Sequence, residues 1–193
     1  MKRELRYGII GAGSMGREHI ENIKVMGGAA VTALSDPHVP SQDAALAMAP
    51  GAKVFSDHRA LLDSGLVDAV VIATPNDTHA AVLKDALATD LAVFVEKPLA
   101  TTVEDLKSIL AWDEKRSAMT WMGLEYRFMP PVAEAIARAQ EGDAGKIHQV
   151  SIREHREPFY PKVDNWNRFA ERTGGTLVEK CCHYFNLMAI VVG

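Results

Sequence analysis

The chain has 193 residues, 48% of them hydrophobic and 24% charged, with a formal net charge of −4. That length suits one large domain, or one domain and part of another. The acidic balance supplies no field for nucleic acid or an anionic membrane surface, and no apolar run approaches the roughly 18 residues that a bilayer span needs.

The two cysteines, Cys181 and Cys182, are adjacent. That spacing suits neither a disulfide framework nor a zinc site, and it fits small buried side chains in a reducing cytoplasm. No metal site is expected. Met1-Lys2-Arg3 has the charge of an export signal, but the apolar segment behind it is short and cut by Gly11, Gly13 and Gly16. A cytoplasmic location is therefore expected.

Tyr7-Gly8-Ile9-Ile10 reads as a short apolar strand, followed at once by Gly11-Ala12-Gly13-Ser14-Met15-Gly16 and a helix over 17–26. In a G-x-G-x-x-G turn between strand and helix, the first glycine permits the bend and the second lets backbone approach a pyrophosphate. The third lets helix and strand pack closely. The N–H groups of the helix start, at Ser14 and Met15, then face the phosphates. A second strand, 31–34, ends at Ser35-Asp36, with Asp36 lying 20 residues after Gly16. An acid there accepts hydrogen bonds from an adenosine ribose and repels a 2′-phosphate, which favours NAD over NADP.

The alternation continues with a helix over 42–48, a strand at 54–55 and a helix capped by Asp57 through Leu62. A buried strand over 68–72 follows and ends in Ala73-Thr74-Pro75-Asn76-Asp77-Thr78-His79. Asn76 or Asp77 can cap the next helix, to about residue 88. His79 falls in its first turn, placed either near the cofactor edge or as a structural histidine. A fifth strand, Ala92-Val93-Phe94-Val95, is apolar without alternation and ends abruptly in Glu96-Lys97-Pro98. Ligands in open parallel sheets bind outside the carboxyl ends of the strands, so Lys97 is aimed at a site. The Lys-Pro bond makes a cis turn accessible there. A helix capped by Thr101 or Thr102 and a sixth strand at 118–122 complete a doubly wound parallel α/β sheet, a Rossmann fold, over residues 1–123.

The order G-A-G-S-M-G, A-T-P-N-D-T-H, then V-E-K-P-L-A resembles the glucose–fructose oxidoreductase and inositol dehydrogenase family (Gfo/Idh/MocA), with Glu-Lys-Pro its most diagnostic element. Met122-Gly123-Leu124-Glu125-Tyr126-Arg127-Phe128-Met129-Pro130 resembles the crossing into that family's second domain. Many members carry Asn in place of Glu125. The resemblance covers essentially the whole chain. It implies that members continue well beyond the point corresponding to Gly193, completing a large open antiparallel sheet.

After the crossing, residues 124–193 read as the incomplete start of an α+β substrate and oligomerisation domain. Residues 131–140 read as helix and 141–145 as a turn. Residues 146–155 alternate like a strand with one buried face. The segment 156–172 reads as a long loop, in which Tyr160, Trp166, Asn167 and Arg168 either meet a polyol or simply anchor the loop. Residues 174–188 read as one helix after a Gly-Gly turn. Glu179 and His183 are four apart on it and Asn186 is three further, on a shared face. The family pattern there is acid, three residues, His, two residues, Asp. Glu179 stands for the commoner Asp, and Asn186 replaces Asp.

What the resemblance implies is reversible oxidation of a secondary alcohol on a sugar or cyclitol, with hydride passing to NAD. His183 is then expected as the acid/base, with Lys97 orienting the hydroxyl; that division could be reversed. Glu179 would orient the imidazole or bind a substrate hydroxyl, and Asn186, Arg127 and Trp166 would meet substrate. Gly11, Gly13, Ser14, Met15, Gly16, Asp36, Thr74, Pro75, Asn76, His79, Glu96 and Lys97 are expected around the cofactor. A homo-oligomer is expected where the second domain is completed. The alternative is a catalytically silent dinucleotide-binding or regulatory protein. Its motive is a strand at 146–155 left with unpaired edges.

Overall fold

Short apolar runs that end in glycine, proline or a capping residue leave the chain little choice but strand, turn, helix. The computed structural model describes residues 3–155 and 157–192. The start of the chain, Arg156 of the expected loop, and Gly193 lie outside it. The strands are β1 (Leu5–Ile10), β2 (Ala29–Ser35), β3 (Lys53–Phe55), β4 (Ala69–Ile72), β5 (Ala92–Glu96) and β6 (Thr120–Gly123). They form one parallel sheet in the order β3-β2-β1-β4-β5-β6.

The order reverses between β1 and β4, where Ile10 pairs with Ile72. This is the crevice in which open α/β sheets hold ligands.

Between the strands run α1 (Ser14–Met26), α2 (Val39–Met48), α3 (His58–Leu62), α4 (His79–Ala86) and α5 (Val103–Asp113). Side chains alternate across the sheet. Ile10, Val70, Ile72, Val93 and Val95 pack with Leu61, Leu83 and Ile109 on one face. Ile9, Leu34 and Val71 pack with Ile20, Ile23 and Ala45 on the other. Each such Leu or Ile contributes on the order of 1.5–3 kcal/mol by leaving water, so the sheet is a stiff platform for the turns at its carboxyl edge.

The caps expected at Asp57 and Thr102 form: each side chain accepts a backbone N–H, from Arg59 and Asp105 respectively. Asn76 does not cap. It lies in a 3-10 turn, Asn76–Thr78, ahead of α4, and its side-chain amide reaches the Thr173 carbonyl at 3.5 Å. Tertiary contact wins there over a local cap.

Beyond a 3-10 turn, Glu125–Phe128, come α6 (Pro130–Glu141), a 3-10 turn at Val163–Arg168, then α7 (Ala170–Thr173), α8 (Thr176–Glu179) and α9 (Cys182–Val192). Two expectations fail in this region. Residues 146–155 form no strand, because among the described residues none offers a ladder for them to join. The antiparallel sheet is therefore not built by this stretch. The helix expected over 174–188 is broken: α8 ends at Glu179 with Lys180 as its C-cap, and α9 begins only at Cys182. Gly174 and Gly175 make the expected turn, with φ of 78° and 79°. No helix among the described residues is long and apolar enough to cross a membrane.

Candidate active site

The turn after β1 is built by its glycines. Gly11 has φ of +93°, and a Cβ on it would lie 2.6 Å from the Ala73 backbone. A Cβ on Gly16 would lie 2.0 Å from the Gly11 carbonyl oxygen, so α1 can lie this close to the turn only without a side chain. A Cβ on Gly13 would meet nothing within 4 Å, and no side chain caps α1 there. The open space over Gly13 and the uncapped helix start together fit an incoming pyrophosphate.

Asp36, at the end of β2, accepts the Ala12 N–H at 2.7 Å and the His38 N–H at 2.8 Å. The carboxylate is thereby fixed beside the glycine turn, and each oxygen keeps a lone pair for a ribose hydroxyl.

A cavity of about 1100 Å³ runs along this edge, above the usual size for one small molecule. Its wall contains Gly11, Gly13, Ser14, Met15, Asp36, Thr74, Pro75, Asn76, Glu96 and Lys97 from the first 123 residues. It also contains Trp166, Glu179 and His183 from the remainder. Four expected residues stand outside the wall: Gly16, which packs helix on strand, and His79, Arg127 and Asn186.

His79 is fully buried. Its Nδ1 lies 2.7 Å from the Pro98 carbonyl and its Nε2 3.0 Å from the Thr74 carbonyl. Burial pushes its pKa down against the pull of both carbonyls, and a neutral ring donates to one of them. The ring ties the turn after β4 to the turn after β5, which corrects the expectation of direct cofactor contact. Arg127 lies against the Phe128 ring instead, 5.7 Å from its centre. Asn186 falls on α9, beyond the break at Lys180, and is not part of the cavity wall.

Lys97 follows β5 and precedes a cis bond to Pro98. Glu96 holds the turn: Oε1 meets His19 Nε2 at 2.8 Å and Oε2 accepts the Lys97 N–H at 3.3 Å. The Lys97 ammonium then crosses the cavity and donates to the Glu179 carbonyl at 3.3 Å.

His183, from the first turn of α9, is 2% exposed. Its ring stacks on Tyr126, with centroids 4.1 Å apart and planes 14° from parallel. Nε2 lies 3.7 Å from Glu125 Oε1, while Nδ1 has no partner among the described residues. Burial first, then the charges of Lys97 and Lys180, pushes His183 down to about 4 against the pull of Glu96 and Glu154. At neutral pH the imidazole is therefore uncharged and able to accept a proton. Burial pushes the neighbouring Glu125 carboxyl up.

Sequence reading missed Tyr126, Lys162 and Lys180, all in the cavity wall. Lys162 donates to Ser14 Oγ in the glycine turn, and its pKa is lowered by burial and by Lys97. Tyr126 stood inside the crossing motif with no role assigned to it, whereas no pattern marks Lys162 or Lys180, because each reaches the site from a break or irregular segment.

Two family profiles match in sequence order. The first, described as oxidoreductase family, NAD-binding Rossmann fold, covers residues 5–124. The second, oxidoreductase family, C-terminal alpha/beta domain, covers residues 137–193. The inositol 2-dehydrogenase of Leifsonia xyli is 36% identical over 162 residues, which is 82% of this chain and 47% of that protein. The inositol 2-dehydrogenase of Rhizobium meliloti is 29% identical over 98% of this chain and 55% of that protein.

Among solved structures, Lactobacillus casei myo-inositol dehydrogenase in complex with NAD(H) and myo-inositol aligns with a TM-score of 0.68 and 33% identity. The alignment covers 72% of this chain and 42% of that one. Apo scyllo-inositol dehydrogenase from the same organism shares the fold, with a TM-score of 0.81 and 20% identity over 100% of this chain and 56% of that one. The chain spans about half the length of the curated relatives it matches. With both profiles in order and the glycine turn, Asp36 and Glu96-Lys97-Pro98 around one cavity, the chain belongs to the Gfo/Idh/MocA family of NAD-binding oxidoreductases.

Proposed function

We propose that the chain carries the cofactor site and the acid/base residues of a dehydrogenase that oxidises a secondary alcohol of a cyclitol or sugar with NAD. Residues 1–123 form the cofactor domain and 124–193 the beginning of a substrate domain, in a cytoplasmic enzyme whose completed form is a homo-oligomer. The single observation that carries the reading is the meeting of Lys97 and His183 in one cavity wall, with a buried imidazole nitrogen left unpartnered.

The pyrophosphate would rest on the start of α1 over Gly13, with the ribose on Asp36 and the nicotinamide end between the Thr74-Pro75 turn and Lys97. The cofactor supplies the hydride acceptor. Everything else falls to the side chains. A carbinol proton must leave as the hydride departs, so a base has to stand at the hydroxyl. Neutral His183 takes that proton, and in the reverse direction the imidazolium returns it. The Lys97 ammonium, donating to the same oxygen, stabilises alkoxide character. Glu179 and Trp166, on the wall beside them, would contact the substrate's remaining hydroxyls and ring.

A screen of NAD reduction over inositols and aldoses tests this, run on the chain and on a longer form of the protein. Lys97→Met and His183→Ala are expected to lose turnover by two or more orders of magnitude, the usual worth of a positioned acid/base, with NADH binding retained. Normal turnover in both variants would reject the site. NADH binding without turnover on any polyol in either form would leave dinucleotide binding as the function.

A further inference from the structure

Lys180 is a charged side chain in the cavity wall, yet only 7% exposed. Burying an ammonium costs several kcal/mol unless it is paired and hydrogen-bonded, so its surroundings carry information. The break between α8 and α9 places it under the turn that follows β6. Its Nζ donates to Tyr126 Oη, lies 2.9 Å from Glu154 Oε1 and sits 4.4 Å from the centre of the Tyr126 ring. The Tyr126 hydroxyl donates to Glu154 at 3.2 Å, and the Tyr184 hydroxyl donates to the same carboxylate. Tyr126 in turn is the plate on which His183 stacks. Glu154, Lys180, Tyr126 and His183 thus form one continuous chain of contacts, drawn from three separate stretches of sequence and ending at the imidazole.

We propose that Lys180 is the positioning residue for His183: it holds Tyr126 flat against the imidazole and sets a fixed positive charge beside it. That fixes the ring plane and keeps the ring neutral and proton-accepting. The inference rests on the acid/base reading of His183 and deepens it.

The groups that face the imidazole are Glu96 and Lys97 from the end of β5, and Glu125 and Tyr126 from the turn after β6. Glu154 and Lys180 act on it through their charge, Cys182 precedes it on the chain, and Tyr184 packs beside Tyr126. Of the cations, Lys97 donates to the Glu179 carbonyl, whereas Lys180 is tied directly to the plate. Its charge contributes to the fall of the His183 pKa, after burial and Lys97.

Proton NMR of the histidine ring resonances in the 193-residue chain tests this without cofactor or substrate, with His183→Ala supplying the assignment. In Lys180→Met the His183 titration midpoint is expected to rise by about one pH unit, the effect of removing a cation at close range. Lys180→Arg, which keeps the charge, is expected to leave the midpoint low. Glu154→Gln, which keeps the cation and removes its counter-charge, is expected not to raise it, and Lys180→Ala, a second neutral replacement expected to raise it as Met does, supplies the decision where the Met variant fails to fold. An unchanged midpoint in Lys180→Met, or an equal rise in the Arg or Gln variant, overturns the proposal. The readout is separate from catalysis. Normal turnover in His183→Ala would reject the acid/base reading, while the titration still decides whether Lys180 governs the ring.

Discussion

Adding one methyl group at Gly13 separates the dinucleotide site from the fold. Gly13 has φ of −66°, which alanine adopts without strain, and its Cβ would meet nothing within 4 Å. Alanine is a poorer helix N-cap than glycine, but it also lowers the entropy of the unfolded chain by about 0.4–1 kcal/mol. Stability in urea should therefore stay within about 1 kcal/mol of the parent. Binding should not. The methyl would stand where a pyrophosphate must approach the N–H groups of α1, and a loss of at least tenfold in NADH affinity is expected, about 1.4 kcal/mol.

Gly16→Ala is the opposite case. Its Cβ falls 2.0 Å from a backbone oxygen and the structure must shift, so overpacking is expected to cost about 1–3 kcal/mol. NADH fluorescence titration and urea unfolding, read side by side on both variants, give the comparison. Parent-like NADH affinity in a fully folded Gly13→Ala would show that the open space over this glycine is not the pyrophosphate's approach.

Asp36→Ala removes a carboxylate that accepts two backbone N–H groups and would repel a 2′-phosphate. The ratio of NADPH to NADH affinity should rise about tenfold or more, the scale of one or two charge-assisted hydrogen bonds; an unchanged ratio in paired fluorescence titrations would reject its role in cofactor choice. Asp68→Asn addresses the opposite edge of the sheet, where Asp68 joins the starts of β1 and β4. It accepts from the Arg6 side chain at 2.8 and 3.1 Å, from the Arg6 N–H at 3.0 Å and from Arg3 at 2.7 Å. Chiefly through Arg6, the carboxyl is lowered from 3.8 to about 2. The stabilisation is thus fully present above pH 3.8 and lost as pH falls through about 2. Urea unfolding should show the variant weaker by about 1 kcal/mol at pH 7, a modest figure because the cluster is partly exposed. The gap should close near pH 2; a gap independent of pH would contradict the linkage.

Sequence by itself determined the Rossmann half of this protein. Strands buried on both faces need continuous apolar residues, and turns that approach a helix or a ligand need glycine. Both demands are local, so Ile9-Ile10, Gly11 to Gly16, Asp36 and Glu96-Lys97 were legible where they stand. The family's acid and histidine were legible as spacing, and Lys97 and His183 do share a cavity. What spacing could not reveal was the break at Lys180, because a helix interrupted by tertiary packing carries the same periodicity as a continuous one. That break places Asn186 on a separate helix from Glu179 and brings Lys180, a residue with no evident role, against Tyr126. His79 shows the converse. Its position suggested a cofactor contact, and only the fold decided that two backbone carbonyls would enclose it. The strand expected at 146–155 has suitable alternation, but a strand is made by its neighbour's hydrogen bonds, and among the described residues no neighbour is there to make them.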